Sequence, residues 1–236
     1  MTGTGTGKLV TREMDFRDFK EVEISHVFEY QIYQSDSYGV SITTDENLFN
    51  YITARRVGDR LELGLKTRHA FRSFTLKAEI AMPELCELRS SGATRGTVKG
   101  FNILHPFALD LEGACKLKMI DMSVINAKID LSGACSLTGD LKSGEEVRID
   151  LSGACRAVLK GSADDLLINC DGVGSLDLSD FTVHSAKVDL DGISGGTINL
   201  DGRLDASLGG FSRLLYAGNP TLGDIRATGF STVKSK

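Results

Sequence analysis

Tryptophan is absent from the 236 residues, proline occurs only three times and histidine only four times. With so little proline, the turns of the chain must be made by another residue. No apolar run reaches the 18 or more residues of a membrane-spanning helix, and Met1–Gly7 has no apolar centre of the kind a secretory signal carries. His26, His69, His105 and His184 stand in no Gly-x-Ser-x-Gly or His-Glu-x-x-His setting. No glycine run leads into a Lys-Ser/Thr pair, and the EF-hand loop pattern is missing. The five cysteines include no Cys-x-x-Cys and have no nearby histidine at zinc spacing. These absences remove the common hydrolase, nucleotide-binding and metal motifs. The expectation is a chain with no catalytic residue, cofactor or metal.

What is abundant is glycine, at 26 residues, and it is placed periodically. Glycines 92, 113, 133, 153, 172, 192, 210 and 229 are separated by 21, 20, 20, 19, 20, 18 and 19 residues. So narrow a period over eight anchors is the mark of stacked repeats. Ahead of each anchor the residues alternate, as in Ile129-Asp130-Leu131-Ser132 and Val188-Asp189-Leu190-Asp191, which is the period of a half-buried strand. A second run follows, such as Cys155-Arg156-Ala157-Val158-Leu159, so each coil holds at least two strands. The fold expected is all-β: a parallel β-solenoid, or single-stranded β-helix, with coils of about 20 residues and eight anchored coils over 85–236. Residues 1–7 read as a flexible tail. Residues 8–84 are β-rich without the glycine period and read as leading strands that cap or continue the solenoid, with one helical turn near Glu46–Ile52.

The outward positions carry charge in columns. Three residues before the anchor stand Asp110, Asp130, Asp150, Asn169 and Asp189, and one residue before it stand Glu112, Ser132, Ser152, Asp171 and Asp191. Stacked carboxylates repel one another, and Lys128, Arg148 and Lys187 are spaced to offset Asp130, Asp150 and Asp189. Basic residues concentrate earlier, where Arg55, Arg56, Arg68 and Arg72 suggest a contact patch for anions. Both sets are candidate interaction residues. Net charge of −5 argues against nucleic acid as the partner. Parity points Cys86, Cys115, Cys135, Cys155 and Cys170 inward, as a ladder of small apolar side chains. Phe211 and Phe230, directly after the last two anchors, are expected to cover the open end of the core.

With the repeats in register, the chain resembles the putative auto-transporter adhesin, head GIN domain family of Bacteroidetes envelope proteins. The resemblance rests on Phe19-Lys20-Glu21-Val22-Glu23-Ile24, Tyr30-Gln31-Ile32-Tyr33-Gln34, Asp59-Arg60-Leu61-Glu62-Leu63, the glycine repeats and Tyr216-Ala217-Gly218-Asn219-Pro220. The family's Gly-Ser-Gly turns are replaced three times here by Gly-Ala-Cys. The resemblance implies a right-handed β-helix, pectin-lyase-like in shape. It also implies a non-catalytic adhesion role at the cell envelope or outside the cell, with a glycan or protein ligand. A polysaccharide-processing enzyme of similar shape and a purely structural spacer are the alternatives, and the oligomeric state is left open.

Overall fold

The computed structural model describes residues 2–66 and 70–236. The chain is a β-solenoid of about seven turns whose coils are about 20 residues apart. Two parallel sheets meet at the anchor glycines. The pre-glycine sheet stacks Arg60–Leu65, Glu21–Ile24, Glu87–Gly92, Phe107–Gly113, Ala127–Gly133 and Glu146–Gly153, and continues through 165–172 and 185–190 to Arg203–Leu208 and Thr221–Ala227. The post-glycine sheet stacks Glu29–Gln34, Arg95–Lys99, Lys116–Val124 and Ser136–Ser143, and ends on Gly195–Leu200, Arg213–Ala217 and Thr232–Ser235.

The anchors form one column. Gly92, Gly113, Gly133, Gly153 and Gly172 are direct register partners. The column runs on because Ile193 N–H donates to Gly172 O, Phe211 N–H to Gly192 O and Phe230 N–H to Gly210 O, at 2.8–2.9 Å. Every anchor has positive φ, and an added Cβ would meet the backbone of the residue one coil below, His26 for Gly92 and a glycine for all the others. Glycine is therefore required both by conformation and by close approach. The column begins on a residue that is not glycine. His26, at φ +77, accepts a bond from Ala93 N–H at 2.6 Å, as Gly92 does from Ala114 N–H. Its ring is held by Ser25 Oγ at 2.8 Å.

Glu21–Ile24 and Glu29–Gln34 thus make the first coil. Antiparallel strands cover its end: Leu9–Met14 against Gly39–Asp45, Gly39–Asp45 against Leu76–Met82, and the hairpin Ile52–Val57 with Arg60–Leu65. A 3-10 helix, Glu46–Tyr51, connects two of them. Where a flexible tail is expected, Thr2–Thr4 pairs with Ala70–Arg72, and Gly7 N–H donates to Asp45 Oδ1 at 2.6 Å.

Inward side chains fill the coils in rows, such as Leu109, Ile129, Ile149, Ile168 and Val188, all nearly inaccessible. Burying each such side chain contributes about 1.5–3 kcal/mol. Cys115, Cys135, Cys155 and Cys170 are buried as expected, but they act as more than apolar filler. The sulfurs of Cys115, Cys135 and Cys155 are directed at the carbonyl oxygens of Glu112, Ser132 and Ser152 at 3.2–3.3 Å. Ser194 and Ser231 make the same bond to Asp191 and Thr228. The thiols therefore clamp the glycine turn as a hydroxyl would.

Two inward assignments are corrected. Cys86 is only partly buried, because it precedes the strand Glu87–Gly92 and strand parity does not reach it. Its Sγ lies 3.6 Å from His105 Nε2. Phe211 and Phe230 do not cover the core. The position after an anchor is an outer corner, and the rings stand in solvent, stacked at 5.0 Å.

Candidate functional site

The pre-glycine sheet aligns the acidic residues as the repeat implies. Asp110, Asp130, Asp150, Asn169 and Asp189 are successive register partners, as are Glu112, Ser132, Ser152 and Asp171. Strand alternation turns all of them outward while Leu111, Leu131 and Leu151 point into the core. Asp191 continues the second column directly before Gly192. Between the two columns runs a shallow trough of about 390 Å³, lined among others by Asp130, Asp150, Asn169, Asp171, Asp189 and Asp191.

Repulsion within the column is relieved locally. Lys128 Nζ lies 2.8 Å from Asp130, and Arg148 Nε lies 2.7 Å from Asp150. Asn169 donates a further bond to Asp150. Burial pushes the Asp150 carboxyl up, but the bonds from Arg148 and Asn169 outweigh it and hold the group below its ordinary value. Asp110 is raised, first by burial and then by Asp130 beside it. Lys187 does not form the expected pair with Asp189. It is the register partner of Asp205, whose main cation is Arg203 at 2.7 Å. Among the described residues, Asp110, Glu112, Asp171, Asp189 and Asp191 have no ion pair, so the paired rungs of Asp130 and Asp150 are flanked on both sides by unpaired carboxylates.

The basic segment is arranged differently. Arg55 pairs with Glu62 at 2.6 Å. Arg56 donates to the carbonyl oxygens of Gly58 and Arg17. Arg60 lies among Glu21, Glu23 and Glu87 at 2.8–3.6 Å. These contacts match most of the local positive excess to carboxylates or backbone oxygens. Arg68 and the side chain of Arg72 lie outside the described residues.

No group of three or more His, Cys, Asp or Glu side chains among the described residues is arranged to hold a metal ion. His184 Nδ1 meets Asp201 at 3.1 Å in an exposed pair that does not line the trough. No described helix is long and apolar enough to cross a membrane. The feature that strand reading alone misses is the corner beside the trough. There the residue after each anchor passes from Ala114, Ala134 and Ala154 to Val173, Ile193, Phe211 and Phe230, all four of which are exposed. The signal was present as a rising side-chain volume at a fixed repeat position.

Solved structures share this architecture. A putative adhesin from Parabacteroides distasonis superposes with a TM-score of 0.93 at 18% identity, over the whole of both chains. One from Parabacteroides merdae gives 0.88 at 19% identity, over 100% of this chain and 99% of that one. A putative lipid binding protein from Parabacteroides distasonis gives 0.73 at 19% identity, again over both whole chains. At such identities the likeness shows the fold. No curated protein matches the chain significantly. The sequence profile of one family matches residues 18–220, from the first coil through the seventh anchor, and by that match the chain belongs to the putative auto-transporter adhesin, head GIN domain family.

Proposed function

We propose that this chain is a non-catalytic interaction module of the cell envelope or cell surface. Its contact surface is the outward side of the pre-glycine sheet, from Asp110 and Glu112 through Asp130 and Asp150 to Asp171, Asp189 and Asp191. The ligand is a glycan or a protein. The observation that carries this reading is the acidic trough, a surface repeated at coil spacing over several rungs. Its regularity suits an elongated ligand better than a single reacting bond. Catalysis by paired carboxylates needs one group held protonated near neutral pH beside one held ionised. At one end of the trough Asp130 and Asp150 each have a cation at contact distance, and the bonds to Asp150 hold its carboxyl below its ordinary value, the opposite of what a general acid needs. Membership in an adhesin family supports the same conclusion, as do neighbours described as putative adhesins. The paired Arg55 and Arg56 are at most a weak second contact for anions.

The test is binding of the immobilised chain to panels of glycans and of envelope and host-surface proteins, followed by polysaccharide digestion assays. The expected result is a ligand whose binding weakens in Asp130→Asn/Asp150→Asn and survives in Arg55→Gln/Arg56→Gln. Release of new reducing ends or unsaturated products, abolished by Asp150→Asn, would instead establish an enzyme.

A further inference from the structure

The corner next to the trough changes character abruptly at the fifth anchor. In the preceding two coils it reads Ser132-Gly133-Ala134 and Ser152-Gly153-Ala154. In the next two it reads Asp171-Gly172-Val173 and Asp191-Gly192-Ile193. A carboxylate before the turn and a large apolar side chain after it therefore arise together. The glycine between them puts both on the same edge of the solenoid. The apolar side continues as Phe211 and Phe230. Val173, Ile193, Phe211 and Phe230 are 57%, 62%, 63% and 78% exposed, a graded ridge on an otherwise polar surface. Isolated apolar residues on a surface are ordinary, but a contiguous row points to a partner. Beside its Val173 and Ile193 end lie Asp171, Asp189 and Asp191, three carboxylates with no ion pair among the described residues.

We propose that this ridge, with its flanking carboxylates, binds a basic amphipathic polypeptide helix laid along the solenoid axis. The proposal rests on the reading of the acidic face as an interaction surface and names the partner's chemistry. Charge selects the partner first: unpaired carboxylates favour a cationic ligand and repel acidic glycans and anionic lipid. The apolar side chains select next. Val173 and Ile193 offer no flat face to a sugar ring, and Phe211 is already stacked on Phe230 at an interplanar angle of 10°. Alkyl side chains of a helix can pack between such rungs. Rungs about 4.8 Å apart and helix turns of about 5.4 Å drift by only about 2 Å over four rungs. One helix can therefore place an apolar row on the ridge and a Lys/Arg row on the carboxylates.

The test uses the full chain and a fluorescent Lys/Leu amphipathic helical peptide, read by anisotropy. Comparison ligands are a Glu/Leu peptide, phosphatidylcholine vesicles and a neutral glycan panel. Ile193→Ser/Phe230→Ser and Asp189→Asn/Asp191→Asn should each weaken binding of the Lys/Leu peptide by about tenfold or more. Asp36→Asn/Asp140→Asn, with the same change of net charge on other surfaces, should leave it unaltered. Rising salt should weaken binding of the wild type. Equal weakening in the control pair, no effect of the ridge pair, or ridge-dependent binding of vesicles or glycans in place of the peptide would overturn the proposal. Failure of the Lys/Leu peptide while a ligand sensitive to Asp130→Asn/Asp150→Asn still binds would remove only this inference. Failure of both would remove the reading beneath it.

Discussion

The Sγ of Cys170 occupies the space that a Cβ on Gly174 would take, and it touches Ser194 Oγ at 3.2 Å. In neighbouring coils the residue two before the anchor is Leu151 or Leu190, and the residue two after it is Cys155 or Ser194. In the Gly172 coil both positions differ, and each compensates the other. Gly174→Cys alone should overpack the rung and destabilise by about 1–3 kcal/mol. In Cys170→Leu/Gly174→Cys, which restores the neighbouring pattern, much of that loss should return. Denaturant unfolding of the wild type, both single variants and the double variant measures the coupling, expected at about 0.5–3 kcal/mol. Additive single effects would show that the exchange is accidental.

The swap also shows where sequence reading succeeds and where it stops. A glycine every 18–21 residues requires the same turn repeatedly, so the anchor column and its strands are legible. So are the acidic columns, because alternation fixes their side once the anchor is known. The first coil is not legible, since its turn uses His26 at positive φ and has no glycine to mark it. The antiparallel strands that cover it follow no repeat. For Phe211 and Phe230 the large apolar side chain suggests burial, whereas the residue after an anchor is an exposed outer corner in every coil. That Lys187 forms no ion pair with Asp189 is equally invisible in the sequence, since it depends on the placement of Asp205 and Arg203 one coil away.

The anchor column makes a prediction about two glycines, one an anchor and one outside the column. Gly153 has φ +85, and a Cβ there would lie 2.5 Å from Gly133 O. At Gly195 a Cβ would meet nothing within 4 Å. Gly153→Ala should cost about 1–2 kcal/mol for the left-handed conformation alone, with the backbone clash added. Gly195→Ala should be neutral or stabilise by about 0.4–1 kcal/mol through the unfolded chain. Paired thermal and denaturant melts decide between them. Equal behaviour of the two variants would contradict the stacking of the anchors.

The thiols should divide by burial. Cys135, Cys155 and Cys170 are 2–4% exposed, while Cys86 is only partly buried. Contact with Cys115 and burial push Cys135 up, and burial pushes Cys170 up. Burial also raises Cys86, so its reaction should be slower than that of a free thiol. A native titration with a thiol reagent should therefore modify Cys86 first and the rest only after unfolding. Mass mapping identifies the site. Rapid native labelling of Cys135 would place its turn in solvent.

Acid should weaken the late coils through Asp205. Its carboxylate accepts two bonds from Arg203 at 2.7 Å and one from Asp224 N–H, and these hold it at about 2. An aspartate in the unfolded chain titrates near about 3.9. A group whose folded value is depressed stabilises the fold fully above the unfolded value and loses that contribution as pH falls through the folded value. Asp205→Asn should therefore be less stable than the wild type at neutral pH, and the gap should close between about pH 4 and pH 2. Arg203→Gln should narrow the same gap, because it removes the principal cause of the shift. A gap independent of pH across that window would mean that Asp205 contributes through its shape and neutral hydrogen bonds, and that its charge on this edge of the sheet is idle.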